Sequence, residues 1–155
     1  HYYLMKPHTI IRKTIIKRPL QEVFQFFSKA ENLNLLTPAE LEFKILTPLP
    51  IKMGAGALID YKIKLNGIPF NWKTEICTWI ENECFVDQQL KGPYRIWHHT
   101  HAFKAIEGGT EMTDEVKYLS PGWFLEPIIQ TLFIKKKVEG IFDYRNSKLK
   151  EIFPD

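Results

Sequence analysis

Cysteine is scarce in this chain. Only Cys77 and Cys84 occur, outside any metal-binding spacing such as C-x-x-C, so neither a thiolate zinc site nor a disulfide framework organises the fold. On adjacent strands they would lie close without facing directly, and free thiols in a reducing cytosol are the plainer expectation. Long apolar runs are missing as well: none reaches the ~18 residues needed to span a bilayer. The first residues, HYYLMKPH, lack the apolar segment of a secretion signal. We therefore expect a cytoplasmic protein with no stable membrane insertion.

Charge of one sign is also lacking. Lys and Arg number 21 against 18 Asp and Glu, a net charge of +3, and no basic stripe is interleaved with exposed aromatics. Nucleic acid is not an expected partner. There is no repeat, linker or low-complexity stretch, and 155 residues fit one domain, 1–155. Gly54-x-Gly56 is no phosphate loop, because a strand pattern follows it where phosphate binding requires a helix N-terminus. No activated nucleophile stands out: Ser28, Ser120 and Ser147 fall in turn or helix contexts, and both cysteines fall on an outer face.

Aromatic residues, by contrast, are abundant: 11 Phe, 6 Tyr and 4 Trp. Such an excess either packs a core or lines an apolar pocket. Taken in order, Thr9–Lys17 alternates as a strand, and Pro19 opens a helix with Leu20, Val23, Phe24 and Phe27 at helical spacing. A short helix covers Glu31–Leu36, stopped by Thr37-Pro38. Leu41–Thr47 reads as a strand with Leu41, Phe43 and Ile45 on one face. A loop through Lys52–Ala57 leads into the next strand. Leu58–Leu65 and Phe70–Ile80 flank Asn66-Gly67, a strong hairpin signal. Cys84–Lys91 follows, with Thr78 expected opposite Phe85, Ile76 opposite Asp87 and Thr74 opposite Gln89. The last element is a helix over about Phe124–Phe153, with a stripe of Ile128, Leu132, Val138, Phe142, Leu149 and Ile152 into which Arg145 falls. A helix of about 28 residues, roughly 42 Å long, must lie along something of its own length. Lys135-Lys136-Lys137, with Ile129 and Phe133, reads as a solvated outer face or a contact for an anionic surface.

The stretch Gly92–Tyr118 holds the unusual polar residues. Turning at Glu107-Gly108-Gly109-Thr110, a four-residue loop would pair Phe103 with Asp114, His101 with Val116 and His99 with Tyr118. Alternation puts Trp97, His99, His101, Phe103, Met112, Asp114, Val116 and Tyr118 on one face. The opposite set is polar and solvated, so two histidines and an aspartate must look inward. Buried polar groups need partners, which makes this interior a satisfied network, a wet cavity or a site.

One strand, two short helices, six consecutive antiparallel strands and a long helix make an α+β chain, a curved sheet of about seven strands gripping that helix. This order resembles the START-related superfamily, also called SRPBCC or helix-grip proteins. The motif residues that carry the resemblance are Asn32-Leu33 with Thr37-Pro38, Trp72, Phe85-Val86-Asp87, Gly92-Pro93-Tyr94, Trp97-x-His99-x-His101-x-Phe103, Gly109-Thr110-x-Met112-x-Asp114-x-Val116-x-Tyr118-x-x-Pro121 and Ile141-Phe142-x-Tyr144-Arg145. They are similar to a bacterial ligand-binding, cyclase/dehydrase-like branch. The resemblance implies a helix-grip fold, a cavity for a small, largely apolar ligand with the Lys52–Ala57 loop as a lid near its mouth, and no agreed catalytic set; it departs from the longer lipid-transfer START domains.

The expected pocket walls are Phe24, Phe43, Tyr61, Phe70, Trp72, Trp97, Phe103, Met112, Ile128, Leu132, Val138 and Phe142. Its expected polar end is Asp87, Gln89, His99, His101, Asp114, Tyr118 and Arg145. If the strand register sets Asp87 beside His99, a buried carboxylate–imidazole pair forms. The polar set then reads in three ways: groups satisfying one another and recognising a ligand's polar end, a cyclase or dehydratase using His–Asp acid/base chemistry, or an open metal site of His99, His101 and Asp114. The first is the expectation, without cofactor or bound metal. An enzyme would work beside a reductase- or epimerase-type partner. A regulatory module acting through its exposed helix face is a further reading. Ligand identity and oligomeric state are not encoded in any pattern found.

Overall fold

The computed structural model describes residues 6–120 and 127–155, with side chains of the last helix described from 132 onward. Strands β1 (His8–Ile16), β2 (Lys44–Ile45), β3 (Leu58–Leu65), β4 (Ile68–Ile80), β5 (Cys84–Lys91), β6 (Ile96–Ile106) and β7 (Gly109–Leu119) form one sheet. Its order is β1-β7-β6-β5-β4-β3-β2, antiparallel throughout. Helix α1 (Leu20–Phe27) and two 3₁₀ segments, Ala30–Leu36 and Ala39–Leu41, follow β1. Helix α2 (Pro127–Ile152) closes the chain. This is the helix-grip architecture, a curved antiparallel sheet around a long C-terminal helix. Among the described residues no helix is long and apolar enough to cross a membrane, and Cys77 and Cys84 are free thiols.

Each element follows from local chemistry. Pro19 precedes α1, whose Val23, Phe24 and Phe27 are buried. Asn66 and Gly67 both take positive φ, 53° and 78°, as a two-residue type I′ turn between β3 and β4 demands. The apolar filling divides into two clusters. One gathers Phe24, Phe27, Ile76, Phe85, Phe103 and Met112 near α1, and the other Trp72, Tyr94, Val116, Tyr118, Val138 and Phe142 near the middle of α2. Thr14 and Arg12 of β1 fasten α2 at Asn146 (3.1 Å) and Asp143 (3.7 Å).

Four details depart from the sequence reading. The strand expected over Leu41–Thr47 is only Lys44–Ile45, because Leu41 ends a 3₁₀ turn and Glu42 takes a left-handed φ of 45° that interrupts extension. The β6–β7 turn is two residues shorter than expected. Gly108 (φ 82°) completes it, Gly109 pairs with Ile106, and His101 faces Asp114, His99 faces Val116 and Phe103 faces Met112. An even slip leaves every side chain on its expected face. In β4 a register shift between Ile76 and Thr78 sets Thr78 opposite Val86 rather than Phe85, while Ile76↔Asp87 and Thr74↔Gln89 stand as expected. Finally, Leu132 is 63% exposed. At 100° per residue it lies about 120° around the helix from Val138, and the buried stripe runs instead through Ile134, Val138, Phe142, Arg145 and Leu149. Lys135, Lys136 and Lys137 are exposed beside Phe133, with Lys137 Nζ 5.6 Å from that ring's centre.

Gly109 is where the β7 start meets the end of β1. A Cβ there would stand 2.4 Å from the Ile16 carbonyl oxygen, whereas one on Gly54 meets nothing within 4 Å. Gly109→Ala is expected to lower stability by about 2 kcal/mol through overpacking against backbone, and Gly54→Ala to stay within about 0.5 kcal/mol of the parent. Urea midpoints of the two variants check this; equal midpoints would mean the β1–β7 junction is looser than described.

Candidate functional site

Period-two alternation brings four strand residues to one place. β6 carries His99 and His101 inward, β7 carries Asp114, and β5 carries Asp87, with Asp87 opposite His99 and Asp114 opposite His101. The hydrogen bonds run diagonally to this register. His101 Nε2 lies 2.5 Å from Asp87 Oδ2, and His99 Nε2 lies 2.7 Å from Asp114 Oδ1. The second nitrogen of each ring lies farther off, His99 Nδ1 at 3.7 Å from Asp87 Oδ2 and His101 Nδ1 at 3.4 Å from Asp114 Oδ1. The two imidazoles stack with centroids 3.7 Å apart.

From α2, Arg145 reaches into the cluster. Its Nη2 lies 3.3 Å from Asp114 Oδ1 and 3.4 Å from His101 Nδ1. The guanidinium stands over the Phe27 and Phe142 rings, 5.2 and 6.0 Å from their centroids. His101 stacks on Phe85 at 4.1 Å, and His99 meets the Phe142 edge at 5.4 Å. The polar cluster thus occupies the seam between the two apolar clusters. His99, His101, Asp114 and Arg145 are buried and Asp87 is half-buried.

Burial would drive the Asp114 carboxyl up, but Arg145 and then the two histidines outweigh it and hold Asp114 well below the usual carboxylate range. Asp87 is likewise lowered: burial pulls upward, and His99, His101 and Arg145 prevail. His101 is lowered to about 4, by burial first and by His99 second, despite its carboxylate neighbours. At neutral pH His101 is therefore an uncharged imidazole. Its partners assign the tautomer: Nε2 donates to Asp87 while Nδ1 accepts from Arg145. Burial, with the Asp87 charge, pushes the Tyr61 phenol well up.

Beside this cluster lies a cavity of about 170 Å³ between the sheet, the Ala30–Leu36 segment and α2. Of the expected walls, Phe43, Tyr61, Trp72, Trp97 and Phe142 line it, and of the expected polar end, Asp87, His99, His101 and Arg145 do. Asp114 stands behind the histidines. Phe24, Phe103, Met112, Tyr118 and Val138 are closed into the packing, and Phe70 packs half-buried beside Trp72. Gln89 spends its amide on the loop instead: Nε2 donates to the Tyr94 carbonyl at 2.6 Å and Oε1 accepts from the Tyr94 N–H at 3.1 Å. Leu132 is exposed, for the reason given above, and the Ile128 side chain lies outside the described residues.

Several lining residues are not among the expected walls. Ile59, Ile63 and Leu65, with Thr74, Ile76 and Phe85, line the cavity and share faces with Tyr61, Trp72 and Asp87, so alternation alone could have found them. Leu33, Leu36, Tyr94 and Ile141 also line it, and no periodic signal marks the first three. Met53 lines it from the Lys52–Ala57 loop. That loop is tied to β4 by Gly56 N–H to the Ile76 carbonyl (2.7 Å) and Ile76 N–H to the Ala57 carbonyl (2.9 Å). The Trp72 indole N–H is buried with no partner among the described residues.

No protein-family model and no curated protein matches the chain by sequence. Solved structures do match. The Zhui aromatase/cyclase from Streptomyces sp. R1128 superposes with a TM-score of 0.74 at 11% identity, covering 92% of this chain and 91% of that one. A protein from Chromobacterium violaceum gives 0.72 at 13% identity, covering 95% and 98%. A START superfamily protein from Mycobacterium smegmatis gives 0.68 at 10% identity, covering 94% and 99%. At these identities the likeness establishes the helix-grip fold.

The lowered His101 makes stability pH-dependent. Between 6.5 and about 4 the unfolded chain protonates this imidazole and the folded chain does not, so stability is full above 6.5 and falls as pH drops through that window. The loss is expected to reach up to about 3 kcal/mol, with the lowered carboxylates adding to it below their ordinary value of 3.8. Urea unfolding at a series of pH values measures the slope, and His101→Gln, which keeps a donor toward Asp87, should flatten it. A parent protein equally stable at pH 7 and 4.5 would contradict the buried, uncharged imidazole.

Proposed function

We propose that the chain binds a small, largely apolar molecule in the cavity between sheet and α2, its polar end against Asp87, His99, His101 and Arg145. The observation that carries this reading is the pairing of two features at one wall: hydrocarbon and aromatic surfaces around a hollow, and a charged cluster that lines the hollow. Buried ion clusters are costly to desolvate, and a core that needed only stability is served as well by apolar side chains. A hollow of about 150 Å³ holds a benzene-sized guest. The volume here therefore suits a substituted single ring or a small bicyclic compound better than a sterol or phospholipid. The START superfamily neighbour from Mycobacterium smegmatis has the same architecture, which supports a ligand-holding role without naming the ligand.

A second reading, acid/base catalysis of cyclisation or dehydration, is favoured by one observation. His101 is held uncharged with its Nε2–H donating to the Asp87 carboxylate, and both residues line the cavity. Such a pair can pass a proton to or from a bound carbonyl compound. The Streptomyces neighbour is an aromatase/cyclase, and at its identity to this chain it lends the fold to that reading and nothing more. Neither reading calls for a reductase- or epimerase-type partner, and none is proposed.

Mild extraction of protein made in cells, followed by mass spectrometry, should release an apolar compound of single-ring to bicyclic size. In its absence, 2-naphthol should quench Trp72 and Trp97 emission saturably, and Ile63→Phe, which fills the cavity, should weaken that binding at least about tenfold. No extracted compound together with no saturable quenching would defeat the ligand-binding proposal. With a converted compound in hand, Asp87→Asn should cut turnover at least about 100-fold while binding stays within about tenfold. Equal losses would leave only the binding role.

A further inference from the structure

We propose that Asp87, His99 and His101 form a site for a first-row divalent cation of the zinc type, with Asp114 as the outer carboxylate that orients both imidazoles. The donors are already gathered: a ring nitrogen from each histidine and a carboxylate oxygen of Asp87 lie within 4.8 Å of one another. Two nitrogens and one oxygen are a donor set suited to such ions. In a tetrahedral site with bonds of about 2.0–2.1 Å, neighbouring donors stand roughly 3.3–3.5 Å apart. His99 Nδ1 and Asp87 Oδ2 are 3.7 Å apart, close to that edge and too far for a hydrogen bond.

The outer contacts point the same way. Metal-bound imidazoles usually donate their second nitrogen to a carboxylate, which fixes the ring and its tautomer. Here one carboxylate oxygen serves both rings: Asp114 Oδ1 lies 2.7 Å from His99 Nε2 and 3.4 Å from His101 Nδ1. Asp114 is 1% exposed and is itself held by Arg145 at 3.3 Å.

His101 requires one adjustment. Its Nε2 is hydrogen-bonded to Asp87 Oδ2 at 2.5 Å, so this edge must widen by somewhat under 1 Å to admit an ion. The His101 proton then moves from Nε2 to Nδ1, where it faces Asp114 Oδ1 and takes the place of the hydrogen bond accepted from Arg145, so His101 keeps its one proton. Asp87 is half-buried at the cavity wall and is the cluster member with room to move. With three protein donors, all lining the cavity, the fourth position opens on the hollow. That is the arrangement of zinc sites that accept an external ligand, and it would select guests bearing an oxygen donor.

This inference concerns the same wall as the proposed ligand site but rests on the side chains alone, and its test uses the metal without any organic guest. Protein stripped with EDTA and freed of chelator is titrated with Zn²⁺ by calorimetry, and with Co²⁺ by visible absorption. We expect one equivalent per chain, the intense visible bands of four-coordinate Co²⁺, and a Zn²⁺-dependent rise in Tm. Asp87→Asn should weaken Zn²⁺ at least 100-fold and Asp114→Asn by about 10–100-fold. The Cys77→Ser and Cys84→Ser double variant should bind as the parent does. His99→Gln serves as the second ligand variant, and the far-ultraviolet circular dichroism of each metal-free variant shows whether it is folded. Absence of stoichiometric binding by the parent overturns the proposal, as does parent-like affinity in folded Asp87→Asn or His99→Gln. Loss in the cysteine variant, with the other variants unaffected, would place any metal elsewhere and overturn it equally.

Discussion

Asp114 is an ionised carboxylate at 1% exposure in the middle of a β-sheet, and the arrangement around it follows from compensating that charge. Water cannot solvate it, so the protein must. Arg145 supplies the counter-charge from α2 and His99 supplies a hydrogen bond from the neighbouring strand. The contact between Arg145 and Asp114 therefore fixes the rotation of a 26-residue helix against the sheet. A helix held by apolar contacts alone could slide or turn at small cost, because dispersion contacts are individually weak and non-directional. An ion pair with short polar contacts cannot be replaced by its neighbours after such a slide. Removing either member would leave the other charged and buried, which is far costlier than exchanging both for hydrocarbon.

The hollow opens beside this charge. The two apolar clusters meet at the polar seam, where the imidazole nitrogens and carboxylate oxygens bond to one another. The outer half of the sheet is kept off α2 by its shape. β2 has two residues, β4 changes register in its middle, and the 3₁₀ segments cover one end rather than filling it. Rigid rings do the rest. Tyr61 stacks on Trp72, and Trp97 meets Trp72 edge-on, both pairs with centroids 5.5 Å apart. Rings so fixed have few torsions through which to relax into the remaining space.

How much of this was legible depends on which period the residues obey. Sheet alternation is a period of two, so the inward placement of His99, His101 and Asp114 survived an error in turn length. That error still mattered chemically. Moving the β6–β7 register by two residues replaced Phe103 with His101 as the partner of Asp114, and so gave both imidazoles the same carboxylate. Turn length hinged on whether Gly108 alone or Gly108 and Gly109 together formed the bend. The decisive fact is the close approach of Gly109 to Ile16, a contact between distant parts of the chain that local sequence does not record. Alternation also gives side and not depth. Phe103, Met112 and Tyr118 face inward with the histidines, yet they are closed into packing while Tyr61 and Trp72 meet the cavity. The left-handed Glu42 is of the same kind, a backbone state imposed by the join between a 3₁₀ turn and an edge strand.

The cluster unites three consecutive strands with the last helix: Asp87 from β5, the histidines from β6, Asp114 from β7 and Arg145 from α2. Three of these residues interact through one atom, Asp114 Oδ1, which lies near His99, His101 and Arg145 at once. Asp87 stands apart. It bonds His101 Nε2, stands 3.7 Å from His99 Nδ1, lines the cavity and is less buried than the rest. The division of labour follows from position: Asp114 sets the rings from behind, Arg145 joins helix to sheet and also lines the hollow, and Asp87 and the ring edges meet whatever enters. A wall built in this way is preorganised, because groups facing the hollow are held by Asp114, which does not line it. An entering polar atom then needs no rearrangement of the sheet and competes only with the Asp87–His101 hydrogen bond, at the one member of the cluster with room to yield.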